Sequence, residues 1–241
     1  MIYRFDILGS TNDEARNLLY KEGDIVIAER QTAGRGQRGH SWESAEGKNI
    51  TFSLILEPRF LPINEQFLLS EMLALALVDT LAEYDIAAKI KWTNDIYIGD
   101  RKIVGMLIEN SLGSGSMART IAGIGLNINQ VDFDPTLPNP TSMALIAGRE
   151  FDREDVLSRL HTNIMSLYEA LRRGEKEMLQ SRYRETMYRL GEEHQYALAD
   201  GTIFEGIIRG VRASGELMIE HASDGIMREY LFKQVEFIIK K

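Results

Sequence analysis

The sequence predicts a layered α/β or α+β domain followed by a small all-β unit. Strand-like and helix-like patterns alternate over roughly the first 190 residues, as they do in sheets covered by helices. The remaining residues form short strand-like segments separated by glycine-containing turn pairs, which is typical of β-hairpins. The chain has 241 residues and is 44% hydrophobic. It is therefore long and apolar enough for one substantial domain with a small appendage.

Five segments have the composition of β-strands, and segment 49–57 shows the clearest pattern. Its apolar residues Ile50, Phe52 and Leu54 recur at every second position, which predicts a strand with one buried face. The five predicted strands are residues 24–30, 49–57, 88–92, 102–109 and 119–129. The proline-containing segment 130–141 predicts a loop.

Two long helices are predicted. Residues 64–84 contain the most apolar stretch of the chain. Because Glu71 and Asp79 interrupt that stretch, a buried helix is favoured over a membrane span of roughly 20 apolar residues. A second helix, with Asp152 as its N-cap, is indicated by apolar residues at helical spacing. These residues are Leu157, Leu160, Ile164, Leu167 and Leu171.

A short helix is predicted near the N-terminus. Thr11 is followed three residues later by Glu14, which has the form of a capping box. We expect Thr11 to be the cap and Ala15, Leu18 and Leu19 to face inward from the helix.

The C-terminal part of the chain changes character near Leu190. Three turn pairs predict hairpins there, and they are Asp200-Gly201, Ser214-Gly215 and Asp224-Gly225. A small β-barrel or meander is therefore expected.

Composition excludes several classes of protein. The formal net charge of −8 argues against broad binding to polyanions. The absence of cysteine excludes disulfides and thiolate metal sites, and the four histidines lack metal-ligand spacing. The N-terminal residues do not resemble a signal peptide, so a cytoplasmic location is expected.

A glycine-rich loop at residues 34–42 is the strongest local signal of chemistry. Its three glycines allow the backbone N–H groups to approach an anion. Arg35 and Arg38 offer planar forks that match phosphate or carboxylate oxygens. Trp42 could cover an adenine or pack against the closed loop. The alternatives are an exposed hairpin loop or, less favoured in an acidic chain, a nucleic-acid-binding segment.

Three further segments carry candidate site residues. Asn94 and Asp95 follow a predicted strand, where they could form a simple turn or could contact nucleotide and magnesium. Lys102 begins an apolar strand in which regular alternation places Lys102, Val104 and Met106 on one face and Ile103, Gly105 and Leu107 on the other. If Lys102 points into a pocket, its ammonium suits a carboxylate and an α-phosphate.

The segment 123–129 has glycines at alternate positions, which leaves one face of the strand bare. That face could be a packing groove or the floor of a slot for a flat ligand. Asn127 could supply amide hydrogen bonds beside it.

The order of these segments resembles that of the biotin protein ligase (biotin–[acetyl-CoA-carboxylase] ligase) family. The similarity covers nearly the whole chain and depends on residues 10–12, 34–42, 91–95, 102–107 and 123–129. It implies an α+β fold with a mixed β-sheet backed by helices, as in class II aminoacyl-tRNA synthetases and biotin ligases. It also implies a catalytic domain at residues 1–189 and a small C-terminal SH3-like β-barrel at residues 190–241.

The resemblance also implies an activity: ATP-dependent formation of biotinyl-5′-AMP and transfer of biotin to a lysine of a biotin carboxyl carrier protein. The residues that it places around biotin are Ser10, Thr11, Asn12, Gln31, Gly34, Arg35, Gly36, Gln37, Lys102, Gly105, Gly123 and Gly125. Lys102 and Arg35 are the implied catalytic residues. The residues implied to bind ATP are Arg38, Trp42, Asn94 and Asn127, with Asp95 as a contact of Mg²⁺.

The chain departs from the family in two respects. Gln37, His40 and Ser41 stand where many members have basic residues. Because the arginine usual at position 37 helps to hold the adenylate, we expect a leakier intermediate. In addition, the Ser-Thr-Asn motif begins at Ser10, which implies the short form without an N-terminal DNA-binding domain, and no DNA binding is expected.

Two other functions stay open at this point. A lipoate–protein ligase has a related core but needs no polar cluster for a ureido ring. A non-catalytic biotin-binding or regulatory module could use the same fold. The sequence leaves the acceptor protein unnamed and allows either a monomer or a homodimer.

Overall fold

The computed structural model describes residues 1–39, 41–113 and 116–239, without the side chain of Arg38. The strands are β1 Ile2–Leu8, β2 Ile25–Gln31, β3 Ile50–Leu56, β4 Lys89–Lys91, β5 Asp95–Ile98, β6 Arg101–Leu112, β7 Met117–Leu126, β8 Glu193–Leu198, β9 Ile203–Val211, β10 Leu217–His221, β11 Met227–Tyr230 and β12 Val235–Phe237. The helices are α1 Thr11–Glu14, α2 Phe67–Ala82, α3 Met143–Ala147, α4 Arg153–Arg172 and α5 Lys176–Thr186.

The strands form two separate sheets. The first has seven strands in the order β1-β2-β3-β7-β6-β5-β4 and is mixed, because β1 and β2 are parallel while the other neighbours are antiparallel. The second is antiparallel, with the order β11-β10-β9-β8-β12. The predicted fold class, a mixed sheet backed by helices with a small C-terminal β unit, is confirmed.

The large sheet is covered on both faces. Even-numbered residues of β3, such as Phe52 and Leu54, belong to the main core, which also includes the apolar residues of α2 and α4. Odd-numbered Ile55 instead joins a smaller cluster with Val26 and Ile121. All seven residues of β3 are consequently buried. The expectation that β3 has only one buried face was wrong, because alternation in hydrophobicity does not reveal polar residues buried on the second face.

The two long predicted helices are confirmed. Helix α2 is almost entirely buried between the sheet and the outer helices, as its apolar composition predicts. Helix α4 begins after Asp152, whose side chain accepts a hydrogen bond from the backbone N–H of Glu154 at 2.8 Å. The leucines and isoleucine at helical spacing on α4 are all buried.

The N-terminal helix differs from the prediction. Helix α1 has only four residues, its N-cap is Ser10 rather than Thr11, and Ser10 makes no side-chain capping bond. Ala15 is fully buried as expected, but Leu18 and Leu19 are 76% and 75% exposed. The chain leaves the helix before a second turn forms, so helical spacing does not apply to these two leucines.

Several elements were absent from the predictions, namely β1, β5, α3 and α5. Strand β5 has four residues and α3 has five, so neither gives a clear periodic signal. All three C-terminal turn pairs connect neighbouring antiparallel strands, as predicted. Of the helices in the described residues, none has the length and apolarity needed to span a membrane.

A buried carboxyl group lies in α2. Glu71 is 2% exposed, and its Oε2 has no hydrogen-bond partner among the described residues. Burial raises the pKa of Glu71 from its ordinary value near 4.5 to about 8. The side chain is therefore mostly protonated in the folded chain at neutral pH, whereas it is ionised in the unfolded chain.

We expect Glu71 to make the protein less stable as pH rises. Because the folded-state pKa exceeds the unfolded value, the folded chain binds the extra proton between about pH 4.5 and pH 8. In that window the free energy of unfolding falls by up to about 1.4 kcal/mol per pH unit. Glu71→Gln should flatten this dependence when unfolding by urea is measured from pH 5 to pH 9.

Glu177→Gln is the matched control, because Glu177 is exposed on α5. That variant should keep the pH dependence of the native chain. Parallel stability curves for the native chain and Glu71→Gln would contradict the prediction.

Candidate active site

One row of residues crosses five strands of the large sheet on the same face. Thr51, Gly125, Gly105, Asp95 and Lys91 are direct cross-strand partners on β3, β7, β6, β5 and β4. Directly opposed residues in antiparallel strands point to the same face. Four strand spacings of about 4.8 Å make this cross-strand row roughly 19 Å long. Its two central glycines have no side chains and form a flat floor between a hydroxyl at one end and charged groups at the other.

Lys102 reaches this face because of a β-bulge. The register between β5 and β6 shifts between Ile96 and Tyr97, and Tyr97 then pairs with Lys102. Regular alternation would put Lys102 and Gly105 on opposite faces, so the expected division of faces was wrong at this end of β6. An extra residue in one strand turns the following side chains to the other face. As a result, the Lys102 Nζ lies 2.7 Å from Asp95 Oδ1.

A cluster of four polar residues lies beside the Thr51 end of the row. This polar cluster consists of Thr11, Asn12, Gln31 and Ser53. The fully buried Ser53 Oγ lies 2.8 Å from Thr11 Oγ1 and 2.5 Å from Asn12 Oδ1. The backbone N–H of Thr11 donates to Gln31 Oε1 at 2.7 Å. These contacts hold several hydrogen-bonding groups in fixed orientations next to the cavity.

Gly123 is required for the polar cluster. It is the cross-strand partner of Ser53, and a Cβ at this position would overlap the side-chain amide of Asn12. The Asn12 Nδ2 donates to the Leu107 carbonyl at 3.2 Å and to Glu109 Oε2 at 2.9 Å. Asn12 therefore presents a fixed amide whose carbonyl faces Ser53.

The glycine-rich loop folds over the floor. The backbone N–H of Trp42 donates to the Gly34 carbonyl at 2.9 Å, and Arg35 forms a β-bridge with Ser41. The Trp42 indole packs directly on Gly125, where a Cβ would overlap the ring. Trp42 Nε1 is buried and has no partner among the described residues. The indole therefore forms a flat aromatic wall facing the cavity, with its N–H available as a donor.

Arg35 is held by two carboxylates. Its Nη2 lies 2.7 Å from Glu109 Oε2 and 3.2 Å from Asp13 Oδ1. Burial alone would raise the pKa of Glu109, but hydrogen bonds from Asn12 and Arg16, together with the charge of Arg35, lower it below its ordinary value. Glu109 is therefore an anion that connects the loop arginine to the polar cluster.

Most of these groups line one cavity of about 510 Å³. The residues expected at the site that do line it are Ser10, Thr11, Asn12, Gln31, Arg35, Gly36, Gln37, Trp42, Asn94, Asp95, Lys102, Gly105, Gly123 and Gly125. Gly34 and Asn127 do not line it, although Gly34 shapes the loop that does. The side chain of Arg38 and the whole of His40 lie outside the described part of the chain.

The two asparagines expected to bind nucleotide make contacts within the protein. The Asn94 amide donates to the Met106 carbonyl, and its Oδ1 accepts from the Thr93 hydroxyl at 2.8 Å. The buried Asn127 Nδ2 donates to the Thr141 carbonyl at 2.9 Å. Their side chains therefore fix the loops that border the cavity.

Asp95 is engaged by Lys102 and does not belong to a metal-ligand cluster. Among the described residues, no group of three or more His, Asp or Glu side chains is arranged to hold a metal ion. The carboxylate of Asp95 instead orients the Lys102 ammonium over the cavity.

Sequence reasoning missed several residues that line the cavity or support its lining. Thr51 lines the cavity and Ser53 holds Thr11 and Asn12, and both lie in β3, where the apolar alternation drew attention to the opposite face. Glu109, which holds Arg35 and Asn12, lies two residues beyond the β6 motif. Lys91 and the C-terminal residues 232, 233 and 235–237 also line the cavity. The sequence assigns no role to Lys91, and no local pattern connects these C-terminal residues to a site in the other sheet.

Comparisons with known proteins agree with this geometry. Residues 5–127 match the model of the biotin/lipoate A/B protein ligase family. The bifunctional ligase/repressor BirA of Escherichia coli (strain K12) is 30% identical over 232 residues, which cover 93% of this chain and 70% of that protein. The protein of the same name from Bacillus subtilis (strain 168) is 38% identical over 167 residues, but the match covers only 51% of its length.

Solved structures show the same architecture. A biotin protein ligase from Aquifex aeolicus in complex with biotin and ATP superposes with a TM-score of 0.83 and 25% identity, over 99% of each chain. The family match covers about half of this chain, and the similarity to the solved structure extends to the C-terminal sheet. The chain belongs to the biotin/lipoate A/B protein ligase family.

Proposed function

We propose that this chain activates biotin with ATP to form biotinyl-5′-AMP and then transfers biotin to a lysine of a biotin carboxyl carrier protein. The observation that carries this proposal is a single cavity with the buried polar cluster at one end and the Lys102 ammonium over the glycine floor. The relatives support it, since the similar Aquifex aeolicus structure is described as a complex with biotin and ATP.

The polar cluster favours biotin over lipoate as substrate. A cyclic urea offers two N–H donors and a carbonyl acceptor, and Thr11, Asn12 and Ser53 supply matching oxygens and hydroxyls within one buried group. Lipoate lacks those groups, so it would make none of the hydrogen bonds that a urea makes to this cluster, each of which contributes roughly 0.5–1.5 kcal/mol. A binding site built from such hydrogen-bonding groups selects strongly against lipoate, which cannot pair with them.

The first half-reaction joins two anions. An oxygen of the biotin carboxylate attacks the α-phosphorus of ATP, the bond from that phosphorus to the bridging oxygen breaks, and pyrophosphate leaves. Lys102 is positioned beside Asp95 on the floor to neutralise the carboxylate and the α-phosphate. Arg35 would add a second cation if it exchanged Glu109 and Asp13 for the substrate anions.

The described residues do not provide a preformed cage for Mg²⁺. Asp95 is paired with Lys102, and no cluster of carboxylates or histidines surrounds it in the part of the chain that the structure describes. Mg²⁺ commonly keeps several waters and binds through substrate phosphates with one or two carboxylates. The Asp95 contact with Mg²⁺ therefore stays a prediction. Within the protein, we assign neutralisation of the substrate charges to Lys102 and Arg35.

The second half-reaction needs no covalent enzyme intermediate. The chain has no cysteine, and within the described residues neither of the serines that line the cavity, Ser10 and Ser41, is hydrogen-bonded to a histidine. The amine of an acceptor lysine would attack the acyl carbon of biotinyl-5′-AMP directly, and AMP would leave with the electrons of the broken acyl–oxygen bond. The Trp42 loop would limit the access of water to the mixed anhydride.

The activity and the role of Lys102 are tested by one assay. Pyrophosphate release from the native chain should require both biotin and ATP. Lys102→Ala should slow it roughly 10²–10³-fold, because a charge at the reacting phosphate is lost. Lys48→Ala removes an exposed lysine that pairs with Glu150 outside the cavity, and it should keep the native rate.

Absence of biotin-dependent pyrophosphate release from the folded native chain would overturn the proposed function. Normal release from Lys102→Ala would remove only Lys102 from the mechanism.

The polar cluster predicts a role for Ser53 in biotin affinity. Ser53→Ala removes the hydroxyl that orients Thr11 and Asn12, so the Kd for biotin should rise roughly tenfold when measured by calorimetry. Thr80→Val is the control, since it deletes a buried hydroxyl that bonds the Ala76 carbonyl within α2. It should destabilise the chain without changing the Kd for biotin. Equal affinity for Ser53→Ala and the native chain would show that the cluster does not bind the ligand.

Gln37 lines the cavity but has no positive charge to hold a phosphate. We therefore expect biotinyl-5′-AMP to escape early. Gln37→Arg should slow the escape of biotinyl-5′-AMP roughly tenfold, because an arginine can form charge-assisted bonds to its phosphate. Retention of labelled adenylate during rapid gel filtration measures this effect. Gln195→Arg, on β8 and outside the cavity, should leave retention unchanged. A stoichiometric, long-lived complex already present with the native chain would contradict the expected leak.

A further inference from the structure

Lys91 occupies the end of the cross-strand row that lies farthest from the polar cluster. It is the direct partner of Asp95, and Asp95 is the partner of Gly105 on the floor. Each step along the row is about 4.8 Å, so Lys91 lies one strand beyond the pair formed by Asp95 and Lys102. A chain of phosphates that begins at Lys102 and follows the row away from biotin would reach Lys91 next.

The Lys91 ammonium has no carboxylate partner in the described part of the chain. No Asp or Glu oxygen there lies within ion-pair distance of its Nζ, and the nearby Asp95 is paired with Lys102. The Nζ instead lies 4.7 Å from the centre of the Phe237 ring and 5.4 Å from that of Tyr97. The charges that face it from neighbouring elements are those of Asp95, Lys102, Arg189 and Glu236.

Two aromatic faces compensate only partly for the water that the half-buried Lys91 ammonium loses. Burial lowers the pKa of Lys91 below its ordinary value; the charge of Asp95 opposes this effect and that of Lys102 adds to it. A cation in these surroundings gains more from an arriving anion than an exposed lysine does, because fewer waters screen the interaction.

The C-terminal sheet closes this end of the cavity. Phe237 and Glu236 of β12 line it together with Lys91, and so does Lys233. The two units are also joined where the Trp92 Nε1–H donates to the Gly215 carbonyl at 2.9 Å. Lys91 therefore lies at the edge of the large sheet that faces β12, where the large sheet and the C-terminal unit meet.

We propose that Lys91 binds the terminal phosphates of ATP and holds the pyrophosphate as it leaves. This inference rests on the proposed function. When the bond from the α-phosphorus to the bridging oxygen breaks, the electron pair and the negative charge pass to pyrophosphate, and the Lys91 ammonium stabilises that charge. Biotinyl-5′-AMP has no β- or γ-phosphate, so Lys91 contributes to adenylate formation and not to transfer.

The two half-reactions separate this role from a purely structural one. In Lys91→Met, the KM for ATP in biotin-dependent pyrophosphate release should rise roughly 10–100-fold, as expected for loss of a charged hydrogen bond. Transfer of biotin from synthetic biotinyl-5′-AMP to a biotin carboxyl carrier domain should stay within twofold of the native rate. Lys91→Arg should recover most of the affinity for ATP.

Lys89→Met is the matched control, because Lys89 lies on the same strand but is exposed. It should change neither half-reaction. Thermal melting checks that each variant is folded, and Lys91→Gln replaces Lys91→Met if the latter does not fold.

An unchanged KM for ATP in the Lys91 variants, or equal losses in both half-reactions, would overturn the inference. If the native chain itself releases no pyrophosphate, the proposed function fails instead, so the two failures are distinguishable.

Discussion

The register of the large sheet is the constraint on which the site depends. Four antiparallel pairings bring a hydroxyl, two glycines, a carboxylate and an ammonium into one row across β3, β7, β6, β5 and β4. A slip of one residue in any of these pairings would turn a member of the row toward the helices. The bulge in β6 then adds Lys102 to the same face. Helix α2 and the main core hold the opposite face of the sheet and so keep the register.

The two ends of the row have opposite chemistry, and this difference orients a ligand. The end near Ser53 offers neutral hydrogen-bonding groups, whereas the end near Lys91 is rich in cations and closed by β12. Glu109 connects the polar cluster to the loop, since it accepts hydrogen bonds from both Asn12 and Arg35. If Arg35 moved toward a substrate anion, Glu109 would keep the hydrogen bonds from Asn12 and Arg16.

Sequence reasoning located many of the residues that line the cavity, because they lie in short motifs with distinct compositions. It could not place Lys102 correctly, because a bulge depends on how two strands pair and leaves no mark on the alternation of one strand. Ser53 was missed because a polar residue in an apolar strand is usually read as solvent-facing, and here both faces are buried. The wall formed by residues 232, 233 and 235–237 depends on how the second sheet packs against the first, which no local pattern encodes.

The central claim is that the buried polar cluster selects a cyclic urea. Calorimetric titration of the native chain with biotin and with lipoate tests it most directly, because binding is measured without ATP, acceptor or turnover. We expect saturable binding of biotin at one site and at least roughly 10²-fold weaker binding of lipoate. Equal affinity for the two acids, or binding of lipoate alone, would contradict the assignment of the cluster to biotin.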